Sequence, residues 1–282
     1  MNFFKVRSYA KLNLALNVIG KSSSDLHRVE SLITFVKLYD LIYLRPIKLN
    51  RHRINFKGKF AKGISKKNTI SKLLQILDKK NFLNNQKFEI KVVKNIPQKS
   101  GMGGGSMNAA SLINYFLEKK IIKLNKKKLI NITKLIGSDV ILGINPKNTI
   151  LSSNGKLTKL KKKLNFYVLI VKPNFGCSTK IIYSKLVNYS KAKYNKPKKS
   201  LLSTNSIINS TNELENVVIK KYPKLKNLKL FLSKLPNIIF ERMTGSGSSV
   251  VAYFYSKKAA DIGAKKFRKK YKNYWYITSK TI

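Results

Sequence analysis

Alternating apolar and polar residues open the chain and predict strands in its first part. Leu12, Leu14, Leu16 and Val18 alternate with Asn13, Ala15 and Asn17, which is the period of a strand with one buried face. The pattern predicts one or two strands over residues 3–19 and two more over residues 29–36 and 40–45. Residues 48–63 are polar and basic, and are predicted to form a connection without regular structure.

Helical spacing and capping residues predict most of the later elements. Asn68 is a suitable N-cap for the apolar residues that follow it, and Gly137 is a suitable helix end. Residues 188–205 are rich in Lys, Ser, Asn and Pro, which predicts an exposed loop or lid. The predicted helices cover residues 69–79, 106–120, 126–136, 212–220, 223–234 and 257–270, and one more is capped by Ser178 and runs to about residue 187. The predicted strands cover residues 86–94, 165–172, 238–243, 249–255 and 274–278, and a short segment near residues 150–152 precedes the second of them. Strand pairs and separate helices favour an α+β fold with two domains, residues 1–155 and 156–282.

Composition narrows the classes of function. The net charge of +48, from 59 basic and 11 acidic residues, would suit a nucleic-acid partner, but the lysines are scattered along the whole chain and predict a solvated basic surface instead. Cys177 is the only cysteine, so intrachain disulfides and multi-cysteine zinc sites are excluded, and His27 and His52 are the only histidines, too few for a histidine-rich metal centre. The longest apolar runs are far shorter than the ~20 residues that span a bilayer, and the N-terminus lacks a signal-peptide pattern. We therefore expect a cytoplasmic protein with no membrane partner and no specific nucleic-acid partner; the oligomeric state stays open.

A glycine-rich segment between a predicted strand and a predicted helix is the strongest functional signal. Residues 95–110 read NIPQKSGMGGGSMNAA. Glycines permit positive φ and a close approach of backbone N–H groups to a ligand, and a helix N-terminus attracts anions. The segment has neither the Walker A pattern nor the dinucleotide fingerprint. A packing turn is the alternative, but four glycines in five positions before Ser106 favour a phosphate site.

Candidates for proton transfer are few because the chain has only eleven carboxylates. Asp139 follows Gly137-Ser138 at a helix end and precedes an apolar run, so it is a candidate base. On residue preference alone, a turn cap is the favoured interpretation of this aspartate. Lys11 lies on the same side of its predicted strand as Asn13 and Asn17, which suggests a polar face lining a cleft rather than a solvated lysine.

A second glycine motif, residues 242–249 or RMTGSGSS, lies between two predicted strands. An ordinary hairpin turn explains it well. Its backbone is also able to close over a ligand opposite the first glycine segment.

Taken together, three motifs resemble those of the GHMP kinases, which phosphorylate small molecules. They are YAKLNL at residues 9–14, IP through GMGGGS at 96–106, and MTGSG at 243–247, and their order covers nearly the whole chain. Further similarity lies in His27, GSDV at 137–140 and TNELE at 211–215, and it is greatest to the members that act on a cytidine diphosphate-linked methylerythritol in isoprenoid precursor synthesis.

The resemblance implies a fold and a set of roles. The fold would have an N-terminal lobe like domain 2 of ribosomal protein S5 and a C-terminal lobe like an α/β plait. Asp139 would accept the proton of the substrate's 2-hydroxyl, and Lys11 would orient Asp139 and offset negative charge. Asn13, His27 and Tyr183 would contact the substrate, with Mg²⁺ accompanying ATP and its ligands unassigned. The ATP phosphates would be held by Pro97, Gln98, Lys99, Ser100, Gly101, Met102, Gly103, Gly104, Gly105, Ser106 and Met107.

Departures from the family pattern leave alternatives open. Leu26 stands where the family usually has a tyrosine before the histidine, so one face of a cytosine site would be aliphatic. A second hypothesis is a GHMP kinase for mevalonate, phosphomevalonate or homoserine. A third, of another class, is a basic nucleic-acid-binding protein.

Overall fold

Two long strands begin the fold in the computed structural model, which describes residues 2–21 and 27–282. Strand β1, Phe4–Lys21, pairs with β2, His27–Ile47. The described residues divide into two units that interleave along the chain. Unit 1 holds residues 2–10, 38–98 and 103–146, and unit 2 holds residues 11–21, 27–37, 99–102 and 147–282. The predicted domain division at residue 155 stays a prediction.

Unit 1 packs three helices against a small sheet. Within it, residues 41–47 of β2 pair antiparallel with β4 (Lys87–Val93), and β3 (Arg53–Lys57) pairs with β4 in parallel. Phe88, Ile90 and Val92 of β4 are buried beside apolar residues of all three helices. The elements of this unit that follow β2 are β3 Arg53–Lys57, α1 Thr69–Lys79, β4 Lys87–Val93, α2 Gly104–Glu118, α3 Lys126–Ile136 and a 3-10 turn, Val140–Gly143.

Unit 2 contains an antiparallel sheet of the strands β7 (Tyr167–Lys172), β8 (Phe240–Met243), β9 (Val250–Phe254) and β10 (Trp275–Lys280). Their order across the sheet is β10-β7-β9-β8. Residues 31–33 of β2 pair with β5, which pairs with β6. Leucines of α6 and α7 and alanines of α8 share one buried cluster with this sheet. The elements are β5 Asn148–Leu151, β6 Leu157–Leu160, β7 Tyr167–Lys172, α4 Thr179–Ser184, α5 Thr204–Ile208, α6 Leu214–Lys221, α7 Lys224–Ser233, β8 Phe240–Met243, β9 Val250–Phe254, α8 Lys257–Lys270 and β10 Trp275–Lys280.

Several predicted elements need correction. The two strands predicted at residues 29–36 and 40–45 are one strand, β2, because Lys37 is merely an exposed position in a continuing alternation. Strands β3 and β6 were not predicted, and α4 ends at Ser184 rather than near residue 187. The segment 188–205 is not uniformly exposed, because Tyr194 is buried and its backbone N–H donates to Glu30. Within residues 2–21 and 27–282, no helix is long and apolar enough to cross a membrane.

His52 gives unit 1 a predicted pH dependence. Its Nδ1 accepts the N–H of Phe88 at 3.0 Å, and its Nε2 lies 3.1 Å from Asp78 Oδ2, so the bonding network assigns a neutral ring with its proton on Nε2. Burial lowers the pKa of His52 below its ordinary value of 6.5. Because the unfolded chain binds the proton more readily, the stability from His52 is present above pH 6.5 and is lost as pH falls through the lowered pKa.

We expect the free energy of unfolding to fall between pH 7.5 and 5.5, as measured by urea denaturation. In His52→Gln the decrease should be smaller, because only the part due to His27, the other histidine, remains. An equal decrease in the variant and the parent would contradict the role given to His52.

Candidate active site

The glycine-rich segment forms a backbone arrangement suited to phosphate. Lys99, Gly101 and Gly103 have φ values of 50°, 76° and 69°. Gly103 is the N-cap of α2, and no side chain caps this helix. N–H groups of the first helical turn have no intrahelical acceptors, so here they are available to an anion. Helix α2 begins at Gly104, two residues before its predicted start.

A buried ion pair that sequence reasoning missed supports this segment in unit 1. Lys94 and Asp40 form the pair, and Asp40 Oδ1 also accepts the N–H groups of Asn95 and Ile96 at 2.8 and 2.9 Å. Lys94 Nζ lies 3.3 Å from where a Cβ on Gly104 would stand. The ammonium therefore lies at the N-terminus of α2 with its charge balanced by Asp40, while the carboxylate fixes the backbone that leads into the glycine segment.

Three further hydrogen bonds, made by two side chains, hold the ends of the glycine segment within unit 1. Gln98 Nε2 donates to the carbonyls of Phe60 and Lys62 at 2.9 and 2.8 Å. Thr69 Oγ1, at the start of α1, donates to the carbonyl of Gly105 at 2.7 Å. The side chain of Gln98 is thus a structural tie, whatever its backbone binds.

Asp139 lies in the turn between α3 and the 3-10 turn and is half-buried. Its position is that of the N-cap of the 3-10 turn, and its side chain makes no capping hydrogen bond to that turn. The turn packs on α2: a Cβ on Gly143 would stand 2.9 Å from Met107 Sδ, and one on Gly137 would stand 3.8 Å from Ser106 Oγ. Unit 1 therefore brings the turn of Asp139 beside Ser106 and Met107.

Lys11 and Asn13 lie together in the interior of unit 2. Both side chains belong to residues that are 4% exposed, and Lys11 Nζ donates to Asn13 Oδ1 at 2.6 Å. Asn13 Nδ2 donates to Ser31 Oγ at 2.8 Å, and the Asn13 N–H donates to Thr244 Oγ1 at 3.0 Å. The carbonyl of Met102 accepts the Lys11 N–H at 3.2 Å. Lys11 is therefore a positioned cation rather than a solvated one, as its strand pattern predicted.

The two glycine motifs meet backbone to backbone in unit 2. A Cβ on Gly101 would stand 1.9 Å from the carbonyl oxygen of Thr244, and one on Gly245 would stand 2.8 Å from the carbonyl oxygen of Gly101. The N–H of Ser249 donates to the carbonyl of Ser100 at 3.3 Å. The second motif does connect the antiparallel strands β8 and β9, as a hairpin would, and it also buttresses residues 99–102.

The TNELE segment holds the second glycine motif in place. Asn212 Nδ2 donates to the carbonyls of Met243 and Gly245, both at 2.8 Å. Glu215 Oε1 accepts the Met243 N–H at 2.6 Å. Because Asn212 and Glu215 bond backbone groups of the second glycine motif, the TNELE segment has a positioning role.

His27 lies beside two tyrosines of unit 2. Its ring centroid is 4.9 Å from that of Tyr183, with an interplanar angle of 42°, and 6.2 Å from that of Tyr189. Burial, with the nearby charge of Lys21, lowers the pKa of His27. The structure brings together the predicted pair His27 and Tyr183, whereas Leu26 lies outside the described residues. Sequence reasoning missed Tyr189.

Cys177 carries no nucleophilic role. Burial raises the pKa of its thiol to about 11, in spite of the nearby Lys172 and Lys221. A Cβ on Gly247 would stand 3.4 Å from its Sγ. The thiol is therefore protonated at neutral pH and packs beneath the second glycine motif.

The side chains near the glycine segment suit a nucleotide whose phosphates bind most of the metal ion's coordination sites. Among the described side chains, no group of three or more His, Cys, Asp and Glu residues is placed to hold a metal ion. Mg²⁺ in kinases is commonly bound by substrate phosphates with only one or two carboxylates, so a dedicated cage is not required. Glycine backbone, a helix N-terminus and a buried ammonium are the groups that bind phosphate.

These features define a small-molecule kinase. The GHMP kinases N-terminal domain matches residues 68–147, and the GHMP kinases C-terminal domain matches residues 197–273. The chain belongs to the GHMP kinase family, whose members are ATP-dependent small-molecule kinases.

Three comparisons bear on its place in the family. A protein of Pelagibacter ubique (strain HTCC1062) named 4-diphosphocytidyl-2-C-methyl-D-erythritol kinase is 57% identical over 282 residues, which is 100% of both chains. A crystal structure of 4-(cytidine 5'-diphospho)-2C-methyl-D-erythritol kinase aligns with a TM-score of 0.79, 19% identity and coverage of 98% of this chain and 99% of that one. Homoserine kinase from Cytophaga hutchinsonii aligns with a TM-score of 0.68, 18% identity and coverage of 100% and 95%. The two structures support the α+β fold alone, and that fold is shared by kinases of different substrates.

Proposed function

We propose that this chain transfers the γ-phosphoryl group of ATP to the 2-hydroxyl of 4-diphosphocytidyl-2-C-methyl-D-erythritol, in isoprenoid precursor synthesis. The full-length relative at 57% identity, which bears that kinase's name, supports the assignment. The observation that carries it is the contact of His27 with the ring of Tyr183 in unit 2. A nucleobase stacks favourably on aromatic side chains, whereas mevalonate and homoserine contain no ring that would stack on them.

The reaction assigns a role to each part of the candidate site. Asp139 accepts the proton of the substrate hydroxyl as that oxygen bonds to the γ-phosphorus and the bond to the leaving ADP breaks. Lys11 offsets the negative charge that develops. Residues Pro97–Met107 hold the phosphates through the backbone N–H groups that follow Pro97, and Ser106 is a further contact for phosphate or metal. Bound ATP supplies the phosphoryl group, and Mg²⁺ neutralises part of its charge.

The remaining assignments concern the substrate and its surroundings. Asn13 is oriented by Ser31 and Thr244 and is proposed to bind the diphosphate or diol. His27 is proposed to meet the cytosine edge, with Tyr183 against its ring. We also propose a cytoplasmic location and no specific nucleic-acid partner, so any binding of RNA should weaken steeply with added salt.

A substrate panel tests the proposal. ATP consumption is measured with Mg²⁺ at physiological salt in the presence of 4-diphosphocytidyl-2-C-methyl-D-erythritol, mevalonate, phosphomevalonate, homoserine or no acceptor. Turnover with the cytidyl substrate alone is the expected result. Turnover with another alcohol in its place would favour the second hypothesis, a different GHMP kinase.

A further inference from the structure

Tyr189 is an aromatic side chain with unused surface beside His27. It is 43% exposed, and its ring centroid is 6.2 Å from that of His27 at an interplanar angle of 48°. Tyr183, on the other hand, packs against the buried cluster of unit 2, so part of its ring surface is already covered. Of the two tyrosines, Tyr189 has the more surface left to contact a ligand.

His27 supplies a polar group next to this ring. Its Nε2 atom is buried and has no hydrogen-bond partner among the described residues. Burying a polar atom without a partner costs free energy, so such an atom is a reason to expect a ligand group there. A nucleobase fits such a site, because its polar edge is able to bond the Nε2 atom while its flat face stacks on the aromatic side chain.

The backbone at Tyr189 is held firmly although the side chain is exposed. The next residue, Ser190, donates its N–H to the carbonyl of Val18 at 2.9 Å and its hydroxyl to Glu213. Glu213 also accepts the N–H of Val18 at 2.6 Å. One carboxylate thus joins the residue after Tyr189 to β1, and an exposed ring on a fixed backbone loses little entropy when it binds.

The groove that Tyr189 lines is basic. It has a volume of about 650 Å³, and Lys185, Lys220 and Lys221 line it. Among the described residues that line it, Glu213 is the only acidic one, and its oxygens are occupied by the bonds described above. A positive groove beside an aromatic ring suits a base that carries phosphates.

We propose that Tyr189 is a specificity-determining residue that stacks on the pyrimidine of the substrate's cytidine diphosphate end, with His27 bonding the edge of the same ring. This inference rests on the proposed function and adds a residue and a basic groove to it.

Binding of cytidine diphosphate, measured by isothermal titration calorimetry without ATP, tests the inference apart from catalysis. Tyr189→Ala should raise the Kd about tenfold, and Tyr189→Phe should leave it within about twofold, because stacking needs the ring and not the hydroxyl. Tyr255→Ala is the matched control: Tyr255 is a tyrosine of the same unit that is 65% exposed and does not line the groove, so the Kd of this variant should not change.

Two readouts separate stacking from a structural role. Ring currents should shift the cytosine H5 and H6 resonances upfield in the complex with the parent protein, and Tyr189→Ala should abolish the shift at saturating ligand. In turnover, Tyr189→Ala should raise the KM for the cytidyl substrate with little change in kcat or in the KM for ATP. This pattern is not expected of a variant that is only less stable.

The outcomes distinguish the inference from the function on which it rests. If the parent binds cytidine diphosphate and Tyr189→Ala binds it equally well, or if the parent complex shows no upfield shift, the inference fails and the proposed function stands. If the parent neither binds cytidine diphosphate nor turns over the cytidyl substrate, both fail.

Discussion

Asp139→Asn is expected to lower kcat by about 10²–10⁴-fold, the usual contribution of a general base. Asparagine keeps the shape of the side chain but does not accept the hydroxyl proton at neutral pH. The turn that bears Asp139 is packed on α2 through Gly137 and Gly143, and the substitution does not change the size of the side chain, so the fold should persist. Steady-state turnover of the cytidyl substrate and the thermal unfolding midpoint are the two measurements.

The control is Glu118→Gln, which removes an exposed carboxylate at the end of α2 in the same unit. Its kcat should equal that of the parent. A folded Asp139→Asn protein with parental kcat would show that another group takes the proton.

The partnership of Lys11 with Asp139 needs its own test, because the two residues belong to different units. If they act as one functional group, Lys11→Met combined with Asp139→Asn should cost little more than Asp139→Asn alone. Fully additive losses in kcat would mean that Lys11 contributes independently, and its role as the partner of Asp139 would be dropped.

Elements with local signals were predictable residue by residue. The bounds of α1, α3 and α8 agree with the predictions, and each begins after a side chain that caps it. Asn68, Asn125 and Ser256 accept backbone N–H groups of the first turn, so a few neighbouring residues are enough to predict where each helix starts.

Elements that depend on partners distant in the chain were not predictable in the same way. Strand β3 has only Ile54 and Phe56 as alternating apolar residues within a basic stretch, and its pairing with β4 stabilises it. The same holds for the site. Lys11, Asn13 and the glycine segment have visible patterns, whereas Asp40 bonds Lys94 across 54 positions and Glu213 bonds Val18 across 195. In each pair, the sequence around one residue gives no indication of the other.

Gly101→Ala is expected to disrupt the contact between the two glycine motifs. The added Cβ would meet the carbonyl oxygen of Thr244 at 1.9 Å, and the backbone there has a φ of 76°, which only glycine adopts readily. Overpacking and a left-handed backbone each cost about 1–3 kcal/mol, so we expect a loss of about 2–6 kcal/mol in the free energy of unfolding. Because residues 99–102 carry part of the predicted phosphate cradle, the KM for ATP should rise as well. Urea denaturation and ATP kinetics measure the two effects.

Gly155→Ala isolates the steric part of this effect. Gly155 belongs to the same unit and has a φ of 79°, but a Cβ there would meet nothing within 4 Å. The variant therefore bears the backbone cost of about 1–3 kcal/mol without the clash, and its KM for ATP should match the parent's. The difference between the two variants measures how rigidly Thr244 holds Gly101. Equal losses of stability with equal KM values would mean that the second motif yields to the added methyl group, and its role as a buttress of the cradle would then be wrong.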